Sequence, residues 1–137
     1  MSVLVPPPGV EVFPWSGGRS WFHEGIVFQT IVIPRVEVDH VVELEEVSLR
    51  LIGERKRVPA LVDVRAVRWA SSAARVRGGN AIQSEVRSAV ALLVESPVTR
   101  MVGSIFIRVS SPPMPTRLFD TEGAALAWLQ PYRSVEP

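Results

Sequence analysis

No cysteine occurs among the 137 residues of the chain. Disulfides and thiol nucleophiles are therefore excluded, together with the thiolates on which most structural zinc sites depend. Histidine is almost as scarce, His23 and His40 being the only 2. They cannot stand in for the missing ligands, so neither a metal nor a cofactor is expected. Charge of one sign is lacking too, since Lys and Arg number 15 against 14 acidic residues, a formal net of +1. That balance gives no overall field of the kind that gathers nucleic acid or acidic membranes, and no nucleic-acid partner is expected. Long apolar runs are also absent. The longest, Ala89 to Val94, falls far short of the roughly 18 residues that a membrane-spanning helix needs, so no membrane insertion is expected. The three prolines of MSVLVPPPGV would interrupt a signal helix, and a soluble cytoplasmic protein is the expectation.

What is present is enough apolar material for one globular core, 47% hydrophobic against 21% charged residues. Residues 1–18 combine PPP with Ser16-Gly17-Gly18 and read as an extended N-terminal arm, leaving one domain over 19–134. Val12, Phe13 and Trp15 are too apolar to stay in water cheaply, so the arm packs on its own domain or on a second subunit. From Arg19 the segments SWFHE and GIVFQTIVI predict a hairpin turning near Gly25 and stopped by Pro34. A helix is predicted from about Glu37 to Ile52, closed by Gly53. Val38, Val41, Val42, Leu49 and Ile52 fall on its apolar stripe, with Leu44 and Leu51 at the edge. Glu45 falls inside that arc, either as a functional carboxylate or as a rim residue reaching water or an arginine.

PALVDVRAV, 59–67, has the composition of a buried strand, and the Ser71-Ser72-Ala-Ala-Arg run predicts a short helix interrupted by Gly78-Gly79. The unit then repeats. VRSAVALLV, 86–94, is a second buried strand, and Ser96-Pro97 opens a helix. Along it Val98, Met101, Val102, Ile105, Phe106 and Val109 recur as one apolar face. SSPPMP, 110–115, is a stiff connection to the strand TRLFD, and Thr121 starts a last helix through Leu129. Ala125, Leu126, Trp128 and Leu129 dock that helix, with Trp128 as its buried anchor. The order predicts an α/β fold: a mixed sheet of about five strands with helices packed against it, segments 60–67 and 86–94 lying adjacent and parallel.

Four pieces of this order carry a family resemblance: PALVDVRAV leading into SSAAR, the join VALLVESPVTRMVGSIF, the strand PTRLFD and the closing TEGAALAWL. From about residue 19 to 131 the chain resembles the SpoIIAA-like, or STAS-like, bacterial proteins, a fold related to the CRAL-TRIO lipid carriers. In STAS anti-sigma factor antagonists a serine after the matching strand is phosphorylated by a partner kinase. The resemblance places that serine on Ser72, with Ser71 at the family's Asp position and Ala74 at its glycine. The likeness to CRAL-TRIO carriers implies instead that Met101, Ile105 and Phe106 line an apolar pocket, although the same stripe suits a core-facing helix.

Helix caps account for most of the conspicuous hydroxyls, namely Ser71 or Ser72, Ser96 and Thr121, and for Ser72 capping competes with the phosphoswitch. The carboxyl ends of parallel strands, here Asp63 to Val67, Glu95 with Ser96 and Asp120 with Thr121, are where a ligand site is sought. No base and nucleophile pair stands among them, so no enzyme chemistry is expected. His40 and Glu43 have an i, i+3 spacing that a metal can use, but two ligands make no site. Glu37, Asp39, Glu43, Glu45 and Glu46 make the first helix acidic, whereas Arg65, Arg68, Arg75 and Arg77 have no acid between them. These arginines either pair within the fold or form a basic docking face for an acidic protein partner. The expected function is that of a non-enzymatic regulatory or protein-interaction module, binding a protein partner or its own copy as a homodimer. The alternative is a small carrier of an apolar, lipid-like ligand.

Overall fold

The computed structural model describes residues 4–55, 57–78, 86–110 and 114–133. The chain begins with three strands, β1 (Val12–Trp15), β2 (Gly18–His23) and β3 (Ile26–Ile31). A short strand β4 (Arg35–Val36) leads into helix α1 (Val38–Ile52). β5 (Ala60–Asp63), the short β6 (Trp69–Ala70) and helix α2 (Ser72–Gly78) follow, then β7 (Val90–Leu93) and helix α3 (Pro97–Ser110). β8 (Thr116–Phe119) and helix α4 (Glu122–Leu129), with a single 3₁₀ turn at Gln130–Tyr132, complete it.

Six strands form one sheet in the order β1-β2-β3-β5-β7-β8, while β4 and β6 pair separately. β1, β2 and β3 run antiparallel, and β3, β5, β7 and β8 are mutually parallel neighbours. The parallel pairing of Ala60 with Val90 through Asp63 with Leu93 is the adjacency that the two strand-to-helix units predict. The tight turn between β2 and β3 has positive φ at both Glu24 (50°) and Gly25 (81°), the backbone of a type I′ hairpin. No helix among the described residues is long and apolar enough to cross a membrane.

The sheet is covered on both faces, which is why β3, β5 and β7 are apolar almost throughout. Alternation divides their side chains between two cores. Val27, Ile31, Val62, Val90 and Leu92 face α1 and α2 with Val47, Leu51 and Ile52, and partly buried Leu118 adjoins them. Ile26, Phe28, Leu61, Ala91 and Leu93 face the other side with Trp21, Leu4, Ala125 and Leu129 of α4.

Several expectations need correction. Residues 1–18 are not merely an extended arm: they hold β1, whose Pro14 is tolerated because β1 is an edge strand. β1 also raises the main sheet from about five strands to six. Before it, Leu4 is only 4% exposed, and its amide donates to the Asp63 carboxylate at 3.1 Å. On α1 the buried face is turned from the expected stripe, because Leu49 is 51% exposed and Ser48 is buried. Trp128 is only partly buried, lying between the rings of Phe119 and Tyr132; Ala125 and Leu129 anchor α4 instead.

Candidate functional site

Between the sheet and the helices of one face lies a cavity of about 150 Å³. Its floor is built by Gln29 and Ile31 of β3, Val62 of β5, and Val90 and Leu92 of β7. α1 contributes Val41, Leu44 and Glu45 to the wall, and α2 contributes Ala74 and Arg75. Val67 and Arg87, outside the regular elements, also reach it. A strand exposes its floor residues at every second position, and β5 and β7 present small branched side chains there. Packing over valines leaves space where larger side chains would close it.

The polar part of this wall is organised around Arg87, which is 5% exposed. Its Nη2 donates to Gln29 Oε1 at 3.0 Å and to Ser48 Oγ at 2.7 Å. Gln29 Nε2 in turn donates to Ser48 Oγ at 2.5 Å and to the Leu44 carbonyl at 3.4 Å. Burial lowers the Arg87 guanidinium to about 10, and the nearby Glu45 carboxylate works in the opposite direction. Arg87 is therefore cationic at neutral pH. Glu45 itself receives Arg77 in a bidentate pair, with Arg77 Nη2 at 2.8 Å and Nε at 3.0 Å. That bond raises the Arg77 guanidinium above its ordinary value. Of the two readings of Glu45, the structure gives the rim residue that reaches an arginine.

The expected docking arginines do not share one free face. Arg77 is committed to Glu45 across α1 and α2. Arg65 makes a bidentate pair with buried Asp63, through Nε at 2.9 Å and Nη2 at 2.8 Å, and this bond raises its guanidinium above the ordinary value. Arg75 turns toward the cavity wall and donates to the Ala70 carbonyl at 2.7 Å. Arg68 donates to the Arg65 carbonyl at 3.1 Å. Arg75 and Arg77 therefore belong to the rim of the cavity, and Arg65 to a buried pair that also fixes the Leu4 amide.

Ser71, not Ser72, caps α2: Ser71 Oγ accepts from the Ala74 amide at 3.0 Å. Ser72 is the first helical residue and exposed, with Arg75 Nη2 donating to its Oγ at 3.4 Å. Ser96 and Thr121 cap as expected, accepting from Thr99 and Ala124. Of the proposed pocket residues on α3, Met101 is 56% exposed and faces away from the cavity. The side chains of Ile105 and Phe106 lie outside the described residues. Among the described side chains of α3, Thr99 and Gly103 are buried, and a Cβ on Gly103 would stand 2.7 Å from Leu118 Cδ2.

At the carboxyl ends of the strands, Asp63 is consumed by Arg65 and Leu4, and Asp120 is bonded to Arg100. His40 accepts from the Glu37 amide through Nδ1 at 2.9 Å, an N-terminal capping contact, and Glu43 accepts from Ser16. Among the described residues no group of three or more His, Asp or Glu could hold a metal ion. The arrangement presents a largely apolar volume with one buried, hydrogen-bonded polar corner.

The family model of a domain of unknown function, DUF7793, matches residues 20–133. No curated protein matches the chain. Among solved structures, it is similar to an uncharacterized DUF3478-family protein with a SpoIIAA-like fold from Shewanella loihica PV-4. That pair is 12% identical, with a TM-score of 0.56 over 94% of this chain and 98% of the other. A protein with unknown function from Arthrobacter sp. FB24 is 28% identical over 77% of this chain and 92% of its own, with a TM-score of 0.29. The first likeness identifies the fold as SpoIIAA-like, as the four sequence pieces imply.

Proposed function

The chain belongs to the DUF7793 family, and from that premise and its SpoIIAA-like fold we propose that it is a non-enzymatic binding module for a small apolar ligand. The observation that carries this reading is the cavity between the sheet and its helices. At about 150 Å³ it has room for a body the size of a benzene ring, and its floor is lined chiefly by Val and Leu. Binding rather than chemistry is favoured because the polar side chains among the described lining residues are engaged within the fold, Arg87 with Gln29, Glu45 with Arg77, Arg75 with the Ala70 carbonyl and Thr116 with the Met114 carbonyl, and no nucleophile is bonded to a base there. Native mass spectrometry of protein taken from cells tests the reading when wild type is compared with Ala74→Met, which fills the cavity from α2. Wild type should retain a small molecule and the filled variant should not. Equal retention by both, or none by either, contradicts it.

A second reading, a regulatory module that binds a protein partner or its own copy, is favoured by the surface beside α2. Trp69, Val76 and Met101 are large apolar residues left exposed, and Ser72 is accessible with the Arg75 guanidinium beside it. A phosphate on Ser72 would meet that guanidinium and change the surface without touching the core. Ser72→Asp should then alter the mass of the assembly in light scattering while leaving the melting temperature unchanged. An unchanged mass contradicts it.

A further inference from the structure

On the face of the sheet opposite the cavity, a residue from outside the regular elements is built into the core. Leu4, 4% exposed, shares that core with Trp21 and Phe28 of the β2-β3 hairpin and with Ala125 and Leu129 of α4. Its backbone amide donates at 3.1 Å to Oδ2 of Asp63, a carboxylate 1% exposed that Arg65 orients through Nε and Nη2. The socket thus reads two features at once, a large aliphatic side chain and the N–H of the residue that bears it. Its walls and Asp63 lie within residues 20–133, which the family model matches, whereas Leu4 lies outside them.

The segment that supplies Leu4 is held loosely elsewhere, Leu4 being the one buried residue of 4–11. Val5 is 75% exposed, and between residues 5–7, the hairpin and α4 a cleft of about 320 Å³ stays open, with Trp21, Ile26, Phe28 and Leu126 in its lining. Residues 7–10 then form a type II turn, closed by the Val10 amide on the Pro7 carbonyl at 3.4 Å with Gly9 at φ 84°. Because the three consecutive prolines have little conformational freedom to lose, the segment docks at low entropic cost. An emptied socket would leave an apolar void and a buried carboxylate short of a donor, so it favours any segment that restores both.

We infer that this socket is a peptide-binding site, filled in cis by residues 4–7, whose ligand in trans is an extended segment of a partner protein with the same pattern: a leucine-sized aliphatic residue that donates its backbone N–H, followed by proline-rich chain. The chain's own segment is the template, since it shows what the socket accepts. The cleft beside Val5 gives a partner's segment room for a larger side chain at that position. A displaceable occupant makes the site autoinhibited, because a competing peptide meets only the fraction of molecules whose socket is open. The site lies across the sheet from the apolar cavity and does not depend on it.

Wild type and Leu4→Asp, both as the full chain, are titrated with the acetylated peptide of residues 4–10 while the Trp21 indole resonance is followed. An aspartate cannot enter a socket that already holds a buried carboxylate, so the variant should bind the peptide saturably and at least about tenfold more tightly than wild type. The same peptide N-methylated at its leucine, with no proton for Asp63, should bind the variant at least about tenfold more weakly. Equal binding of the two peptides overturns the role of Asp63. Equal binding of the first peptide by wild type and Leu4→Asp, or none by the variant, overturns the socket. If Leu4→Asp does not fold, wild type in excess peptide decides: the Leu4 amide resonance must move together with Trp21 as the segment is displaced, and an unmoved Leu4 amide overturns the inference. A wild-type dimer in light scattering that Leu4→Asp converts to a monomer would give the socket to the segment of a second copy and overturn the partner.

Discussion

Arg87 and Ser48 meet at 2.7 Å beneath α1, where the hydroxyl also receives Gln29 Nε2. The two partners are not equivalent. Because burial lowers the Arg87 value to about 10, the folded protein binds that proton less tightly than the unfolded chain does. The desolvation cost is therefore fully present below about pH 10 and is relieved only as pH rises toward the ordinary arginine value.

Removing the cation should accordingly cost little, and removing its acceptor should cost more. Arg87→Met is expected within about 1 kcal/mol of wild type, or more stable, because it removes a buried charge. Ser48→Val leaves the charge in place with an acceptor lost, and should destabilise by about 1 to 3 kcal/mol. Urea melts of the two variants decide; the reverse order would mean that Arg87 is a stabilising element.

The two adjacent serines should separate cleanly. Ser71→Ala removes the bond to the Ala74 amide and should cost about 1 kcal/mol, whereas Ser72→Ala should change stability by less than about 0.5 kcal/mol. Thermal melts test the pair. Equal effects would place the cap elsewhere.

At the last helix, Leu129→Ala should destabilise by about 2 to 5 kcal/mol, the range for a buried aliphatic, since Leu129 is fully buried. Trp128→Ala should cost less, because part of the ring already faces water beside Phe119 and Tyr132. A larger loss for Trp128 in denaturant melts would reinstate it as the anchor.

Gly18 opens β2 opposite Ile31, and a Cβ there would lie 1.7 Å from the Thr30 carbonyl oxygen. Backbone on both sides leaves little to yield. Gly18→Ala should cost at least about 2 kcal/mol, as overpacking against fixed atoms does, and a melting temperature equal to that of wild type would show that the two strands can part there.

The order of elements was legible because each strand-to-helix join carries its own local signal. Continuous β-branched runs give β5 and β7, Ser96-Pro97 opens α3, and Thr121 caps α4. β1 was obscured by its own Pro14, which argues against a strand unless the edge position is known. The face of α1 was misread for a similar reason. Ser48 counts as polar in any periodicity, yet it is buried because Gln29 and Arg87 come to it from residues 19 and 39 positions away. Neither of those partners could be named from local pattern. Arg87, within a run read as a buried strand, gave only the signal of a charge in an apolar segment. On α3, Val98 and Met101 of the expected stripe are exposed, while Thr99 and Gly103 are buried; the side chains of Val102, Ile105, Phe106 and Val109 lie outside the described residues.

The central claim is that the space between the sheet and α1 and α2 is a ligand site. Methyl spectra of the full chain titrated with benzene test it most directly, because that probe asks only for apolar volume and ignores the charge at Arg87. The account predicts saturable shifts confined to Ile31, Val62, Val67 and Leu92, and their loss in Ala74→Met. No shift at those methyls, or shifts centred on exposed Val98 and Met101, would contradict it.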